Sequence, residues 1–321
     1  MLQKLNKRLE KGMPLITPVS VVIGVTFAAY LKDFSFMIPW IFAFMTFAGS
    51  LNSNFKSLQQ VIAHPLPLLI ALFTLHLLMP LWAWGIGHVV FPGDMYTITG
   101  LILGMVIPTG ITSVLWVSIY RGHIALTLSL ILIDTLLSPF IVPFTMSLLI
   151  GQRVEMDVIG MMGGLFGMVV IPSLIGMFLN QASRGKVKDV LAPHLAPFSK
   201  LSLSVVVMIN GAVVAPYLRM IDLKLVIIAF IVFIIAFTGY LFTFLLGTLL
   251  KQDKETIVAL TFTGGMRNIS AGAVLAISYF PAAVAVPVVI GMLFQQILAS
   301  IYGVFISKFY SLQEKRKQQA A

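Results

Sequence analysis

Long apolar blocks fill this 321-residue chain, and short polar runs separate them. A helix crossing a bilayer needs about 20 mainly apolar residues. Stretches of that kind cover residues 14–31, 35–52, 65–91, 96–120, 122–150, 156–180, 193–217, 222–250, 255–280 and 282–308. The runs KD, NSNFK, FPGD, YRGH, GQRVEMD, NQASRGKVKD, LRMIDLK, KQDKE and FPAA punctuate them. The pattern predicts an all-α membrane protein with ten spanning helices, and an even number returns both termini to one side.

Composition agrees and narrows the class. Charged residues make up 10% of the chain and apolar ones 59%, against about 25% charged in soluble domains. Such a chain cannot cover a water-facing surface, so one membrane domain over residues 1–321 is expected. Within it, 14–150 and 156–310 are two halves, and 311–321 is a solvated tail. The chain has no cysteine, which excludes disulfides and thiolate metal sites. The basic start MLQKLNKRLEKGMP precedes an apolar segment without a small-residue cleavage site, so the first helix reads as retained.

Charge orients the helices. Lys4, Lys7, Arg8, Lys11, Lys56, Arg121, Arg184, Lys186, Lys188, Lys200, Lys251, Lys254, Lys308, Lys315, Arg316 and Lys317 fall on one side; only Lys32, Arg153, Arg219 and Lys224 fall on the other. Lys/Arg excess marks cytoplasmic loops, which predicts a multi-pass inner-membrane protein with both termini in the cytoplasm. The net charge of +10 is thereby spent on topology, and nucleic-acid binding is not expected. Glu155 and the other acids sit at helix ends, in loops or in tails, with one exception. Asp134 in LILIDTLLSP and Arg267 in FTGGMRNIS lie deep inside apolar spans. Intramembrane charge is costly and is paired or functional.

Two helices carry breaks. Pro108 removes a backbone donor in the fourth and Gly110 adds freedom, beside the hydroxyls of Thr109, Thr112 and Ser113. The ninth is interrupted at Gly264 and Gly265. Each break lies in the fourth helix of a five-helix half, and five being odd, the halves must be inverted. Matched breaks point to a transporter's binding site. Unpaired backbone at membrane depth survives only where protein or a water-filled cavity satisfies it. The breaks are therefore expected to cross at the midplane and to form a site for ions and anionic substrates.

The stretches GGMRNISAGAVLAISYFP and IPTGITSVLWVSIYRGHIALTLSL, with LHLLMP at 75–80, resemble the ninth, fourth-to-fifth and third helices of the bile acid:sodium symporter family. That resemblance implies a panel of the first, second, sixth and seventh helices. A core of the other six would hold the crossing breaks, and organic anions would move with sodium. It also implies that Asn268 contacts substrate and that Gln295 and Gln296 face the cavity. The sodium ligands depart from the family pattern. Thr263 stands where a glutamate is common, Arg267 where an amide is common, Val114 for an asparagine, Ile131 for a hydroxyl and His76 for a glutamine. Ser113 and Thr127 are retained. Sodium needs several oxygen ligands, so both sites are expected to be weakened, with Arg267 as a fixed cation in place of an ion.

Thr109, Thr112, Ser113, Asn268, Arg267 and Gln296 are thus the candidate substrate residues. Thr127, Thr263, His76, Asp134 and Arg267 are candidate coupling residues, with Ser113, Thr127 and Thr263 as remnant sodium ligands. Asp134 is placed to pair with Arg267 or to carry a proton, and His76 could titrate near neutral pH. Trp40, Trp82, Trp84 and Trp116 read as interfacial anchors. The expected partners are a small organic anion, bile-acid-like or pantoate-like, and the bilayer. No cofactor and no enzyme activity are expected, with sodium or a proton as the coupling ion. Two other functions stay open: a non-transporting sensor on the same fold, and a cation/proton antiporter using Asp134.

Overall fold

A computed structural model describes residues 2–53, 65–151, 154, 156–219 and 221–320. Lys56, Arg153 and Glu155 lie outside the described residues, as do the side chains of Lys4, Lys7, Arg8, Glu10, Lys11, Glu314, Lys315, Arg316 and Lys317. In chain order the helices are α1 (Leu2–Thr26), α2 (Ala28–Ser50), α3 (Pro65–Val90), α4 (Met95–Val106), α5 (Ser113–Ile119) and α6 (Ile124–Ile150). There follow α7 (Val158–Ala182), α8 (Lys186–Val213), α9 (Leu223–Leu249), α10 (Lys254–Gly265), α11 (Ile269–Tyr279) and α12 (Ala285–Ala320). Among the described residues, seven stretches are long and apolar enough to cross a membrane: α2, α3, α6, α7, α8, α9 and residues 282–312. The molecule is a multi-span, all-helical membrane protein. Its outer surface is apolar, with Val89, Ile159 and Trp40 each more than three-quarters exposed, as lipid contact requires.

The helices sort into two groups. α8 packs along α1 and α2, and α2 along α7. The other group is built on α9 against α10 and α12, α3 against α4, and α5 and α6 against α10. Two differences from the sequence expectation concern helix ends. α1 begins at Leu2 rather than near residue 14, and α12 carries the expected tail in helix to Ala320.

The loop acids cap helices. Asp94, Asp157, Asp222 and Asp253 each accept a hydrogen bond from the backbone three residues on, starting α4, α7, α9 and α10. Such caps satisfy N–H groups that the first turn leaves open. The two helices that end at the breaks start alike. Thr97 Oγ1 donates to Asp94 Oδ2 at 2.6 Å and Thr256 Oγ1 to Asp253 Oδ2 at 2.7 Å. Each then runs for 12 residues.

Asp94 also meets Lys224 Nζ at 2.8 Å, joining the starts of α4 and α9. Burial pushes its carboxyl up, but the hydrogen bonds from Lys224 and Thr97 outweigh this and hold it below its ordinary 3.8. A depressed carboxyl contributes stability that is present above the unfolded value and lost as pH falls through the folded one. Thermal unfolding followed into acid should therefore show wild type losing an increment of stability below pH 3.8. Asp94→Asn should lack that increment.

Candidate functional site: the crossing of two broken helices

Between α4 and α5 the chain is non-helical over 107–112, and between α10 and α11 over 266–268. The two breaks meet as an isolated antiparallel bridge, Thr109 opposite Arg267. Gly110 N–H donates to the Met266 carbonyl at 2.9 Å, and Asn268 N–H to the Pro108 carbonyl at 2.7 Å. Thr109 adds a third tie, its hydroxyl donating to the Thr263 carbonyl at 3.1 Å. The crossing thus satisfies the backbone groups that the breaks free, which an apolar interior demands. Asn268 caps α11, its Oδ1 accepting from Ala271 N–H at 3.4 Å.

The second break starts later than the glycines suggest. Gly264 and Gly265 remain helical. They are needed for packing: a Cβ on Gly264 would fall on Thr243 and one on Gly265 on the Tyr240 ring, both of α9. At the first break, a Cβ on Gly110 would lie 2.9 Å from the Arg267 carbonyl oxygen, so any side chain there would push the crossing apart.

Asp134 of α6 is fully buried, and its carboxylate is shared between two partners. Oδ2 accepts from Thr109 N–H at 2.6 Å, and Oδ1 lies 2.7 Å from His76 Nε2. His76 sits on a π turn, Thr74–Leu78, within α3. Such turns insert an extra residue and are common at functional sites. The expected Asp134–Arg267 pair is therefore not a direct contact: the π turn delivers His76 to the carboxylate instead. His76 Nδ1 is buried with no hydrogen-bond partner.

A cavity of about 430 Å³ lies against the crossing. Thr109, Thr112, Asn268 and Gln296 line it, together with Val114 and Ile131. It extends past Ser53 at the end of α2 to Lys200 of α8, whose Nζ donates to Asn6 Oδ1 at 2.8 Å. Trp116 is not the interfacial anchor its type suggests. It lines the cavity, its Nε1 donates to Gln296 Oε1 at 3.0 Å, and its ring stacks with Tyr120 and Phe262. Trp40 is exposed. Trp82 ties α3 to α9 through Thr238 at 3.0 Å.

Ser113, Thr127, Thr263, His76, Asp134 and Arg267 are not among the residues lining this cavity. Ser113 is buried and its hydroxyl has no partner. The hydroxyls of Thr127 and Thr263 donate to carbonyls one turn back, those of His123 and Ala259. Arg267 is only 2% exposed, and its Nη1 and Nη2 have no hydrogen-bond partner. Arg267 is among the residues that line a second, small cavity, with Gly104, Ala236 and Gly291. The cap pair Asp-x-x-Thr at 94–97 and 253–256 is a signal that the sequence carries and that reading by apolar blocks and breaks missed. The role of Trp116 was not legible, because it depends on which way α5 faces.

Residues 39–221 match the family model described as "Sodium Bile acid symporter family". The chain is 57% identical over 297 residues to the "Uncharacterized protein YbaS" of Bacillus subtilis (strain 168), covering 92% of this chain and 97% of that one. It is 25% identical over 321 residues to the "Uncharacterized sodium-dependent transporter YocS" of the same organism, covering 95% and 97%. It is 28% identical over 185 residues to the "Probable sodium/metabolite cotransporter BASS1, chloroplastic" of Oryza sativa subsp. japonica, covering 58% of this chain and 45% of that one.

Proposed function

Because the chain belongs to the sodium bile acid symporter family, a family of membrane transporters, we propose that it is a secondary active transporter of an organic anion working by alternating access. The reading uses ten spans, with the α4–α5 and α10–α11 pairs each counted as one broken span, in two inverted halves. The matched caps and equal 12-residue lengths of α4 and α10 support that repeat. The α1, α2, α7 and α8 group would rock against the crossing, and both termini would face the cytoplasm.

The observation that carries the mechanism is the His76–Asp134–Thr109 chain of contacts leading to the crossing. In this reading the sodium sites are degraded, and Arg267 supplies a fixed positive charge where relatives bind an ion. With His76 neutral, Asp134 and Arg267 cancel. A proton accepted at Nδ1 of His76 leaves one net positive charge at the crossing, and an anion in the 430 Å³ cavity neutralises it. Proton and anion then bind each other's state better, and by linkage the effect is reciprocal. Thr109, Thr112, Asn268 and Gln296 contact the anion, while Arg267 acts through its field. The cavity falls within the roughly 300–1,000 Å³ usual for small-molecule pockets, so its volume does not by itself choose between a bile-acid-like and a pantoate-like anion.

Proteoliposomes given labelled taurocholate or pantoate under separate imposed gradients test this. Uptake should follow an inward proton gradient and be indifferent to replacing sodium by choline. Strong sodium stimulation would overturn the degraded-site reading. Binding without uptake or counterflow would instead favour a sensor on the same fold. The buried His76–Asp134 pair also suits cation/proton antiport, which would show as cation-driven proton movement with no organic anion added.

A further inference from the structure

We propose that Trp116 is a positioning residue for recognition in the large cavity: its indole N–H fixes the Gln296 amide so that Nε2 is the group offered to the substrate. The proposal rests on the transport reading for its ligand, an organic anion, and adds how the oxyanion end is told from other polar groups. Trp116 Nε1 donates to Gln296 Oε1 at 3.0 Å, and both residues line the cavity. An indole N–H can only donate, so the amide oxygen must face it and the NH2 must turn away. Among the described residues Nε2 has no hydrogen-bond partner, and it is not buried. The ring that carries the donor is itself held. It stacks with Tyr120 and Phe262, with centroids 6.4 and 6.1 Å apart.

The other amide beside the crossing is turned the same way. Asn268 Oδ1 accepts from Ala271 N–H, again a group that can only donate. That leaves Nδ2 for the cavity, which Asn268 lines. An amide free to rotate serves a donor or an acceptor equally well. Two amides whose oxygens are already taken offer N–H groups alone. They suit a group that only accepts, such as a carboxylate or sulfonate, and they leave an ammonium without a partner, which a half-buried site penalises. Neither amide carries charge, so this selection acts through hydrogen bonds and leaves the balance between Asp134 and Arg267 as it is.

The test measures equilibrium binding of labelled pantoate and, separately, taurocholate to the purified full chain in detergent at fixed pH. Gln296→Met keeps the length of the side chain and removes its donors; Kd should rise about tenfold, as for one lost charge-assisted hydrogen bond. Trp116→Phe keeps an aromatic ring beside Tyr120 and Phe262 and removes the N–H. It should raise Kd about fivefold, the cost of ordering a side chain that is no longer held. In the Gln296→Met background the same change should leave Kd unmoved, because Trp116 acts through that amide. An equal factor in both backgrounds marks Trp116 as a cavity wall only and overturns the proposal. So does a Trp116→Phe protein that binds like wild type, or a wild type that binds neither anion at millimolar concentration. Should Trp116→Phe not fold, replacing the indole at 116 by benzothiophene, which exchanges the N–H for sulfur, gives the same cycle. Binding is read without a membrane, so uptake can fail while the cycle holds, and the cycle can fail while uptake holds.

Discussion

Asp134→Asn should abolish the response of uptake to a proton gradient, by more than about tenfold, while the protein still folds. The asparagine Oδ1 can accept from Thr109 N–H as the carboxylate does at 2.6 Å, so the crossing keeps that tie. The negative charge is lost. A proton on His76 would then add to the positive charge of Arg267 with nothing to offset either, and like charges in a low-dielectric interior repel strongly. Counterflow of the same anion, which needs no net proton movement, should fall much less. Asp134→Ala should behave differently. It strands both His76 Nε2 and Thr109 N–H, and leaving a buried donor unsatisfied costs about 1–3 kcal/mol, visible as a lower unfolding midpoint. An Asp134→Asn protein that still answers the proton gradient like wild type would remove this residue from coupling.

Gly265→Ala should give the largest loss of stability among single-methyl changes near the crossing. The added methyl lands on the ring of Tyr240, which is fully buried. That ring stacks on Tyr302 with centroids 4.8 Å apart, and its hydroxyl donates to the Gln295 carbonyl at 3.2 Å, so it has little room to yield. Overpacking of this kind costs about 1–3 kcal/mol. Here it also lifts α10 from α9 two residues before the bridge at Arg267, so uptake should fall with stability. Shortening Tyr240 in a Gly265→Ala, Tyr240→Ala double variant should recover part of the cost, leaving a double-mutant cycle that does not add. A Gly265→Ala protein that unfolds with wild type would show that the two helices are looser here than their packing indicates.

An all-helical, multi-span chain was legible because bilayer thickness dictates the length of an apolar block, and among the described residues seven of the ten expected spans meet that length as single stretches. The first break was legible for a local reason: Pro108 cannot donate a hydrogen bond, whatever surrounds it. The second was misplaced by the glycines, because Gly264 and Gly265 serve a partner on another helix, and a glycine needed for close approach looks in sequence like one needed for a bend. Asp134 and Arg267 stood out as charges among apolar residues, yet their pairing did not. That Asp134 meets His76 follows from a π turn at Thr74–Leu78, for which the residues themselves give no signal. Ser113 and Arg267 were grouped with Thr109 and Asn268 by closeness in sequence. At a broken helix consecutive side chains leave in different directions, so neighbours in the chain serve different cavities. The substitutions against the family pattern were legible one by one, but only the fold shows that the departures at His76 and Arg267 flank the same carboxylate.

The bridge at Thr109 and Arg267 is tied by main-chain groups, Gly110 to Met266 and Asn268 to Pro108. Peptide groups are common to every residue except for the missing proline N–H, so these two ties need no particular side chain at 267, while Gly110 must stay without one. The side chain at 267 can therefore change without redesigning the backbone contact that holds the two breaks together. The fold thus separates the frame it holds still from the side chains it turns toward its cavities.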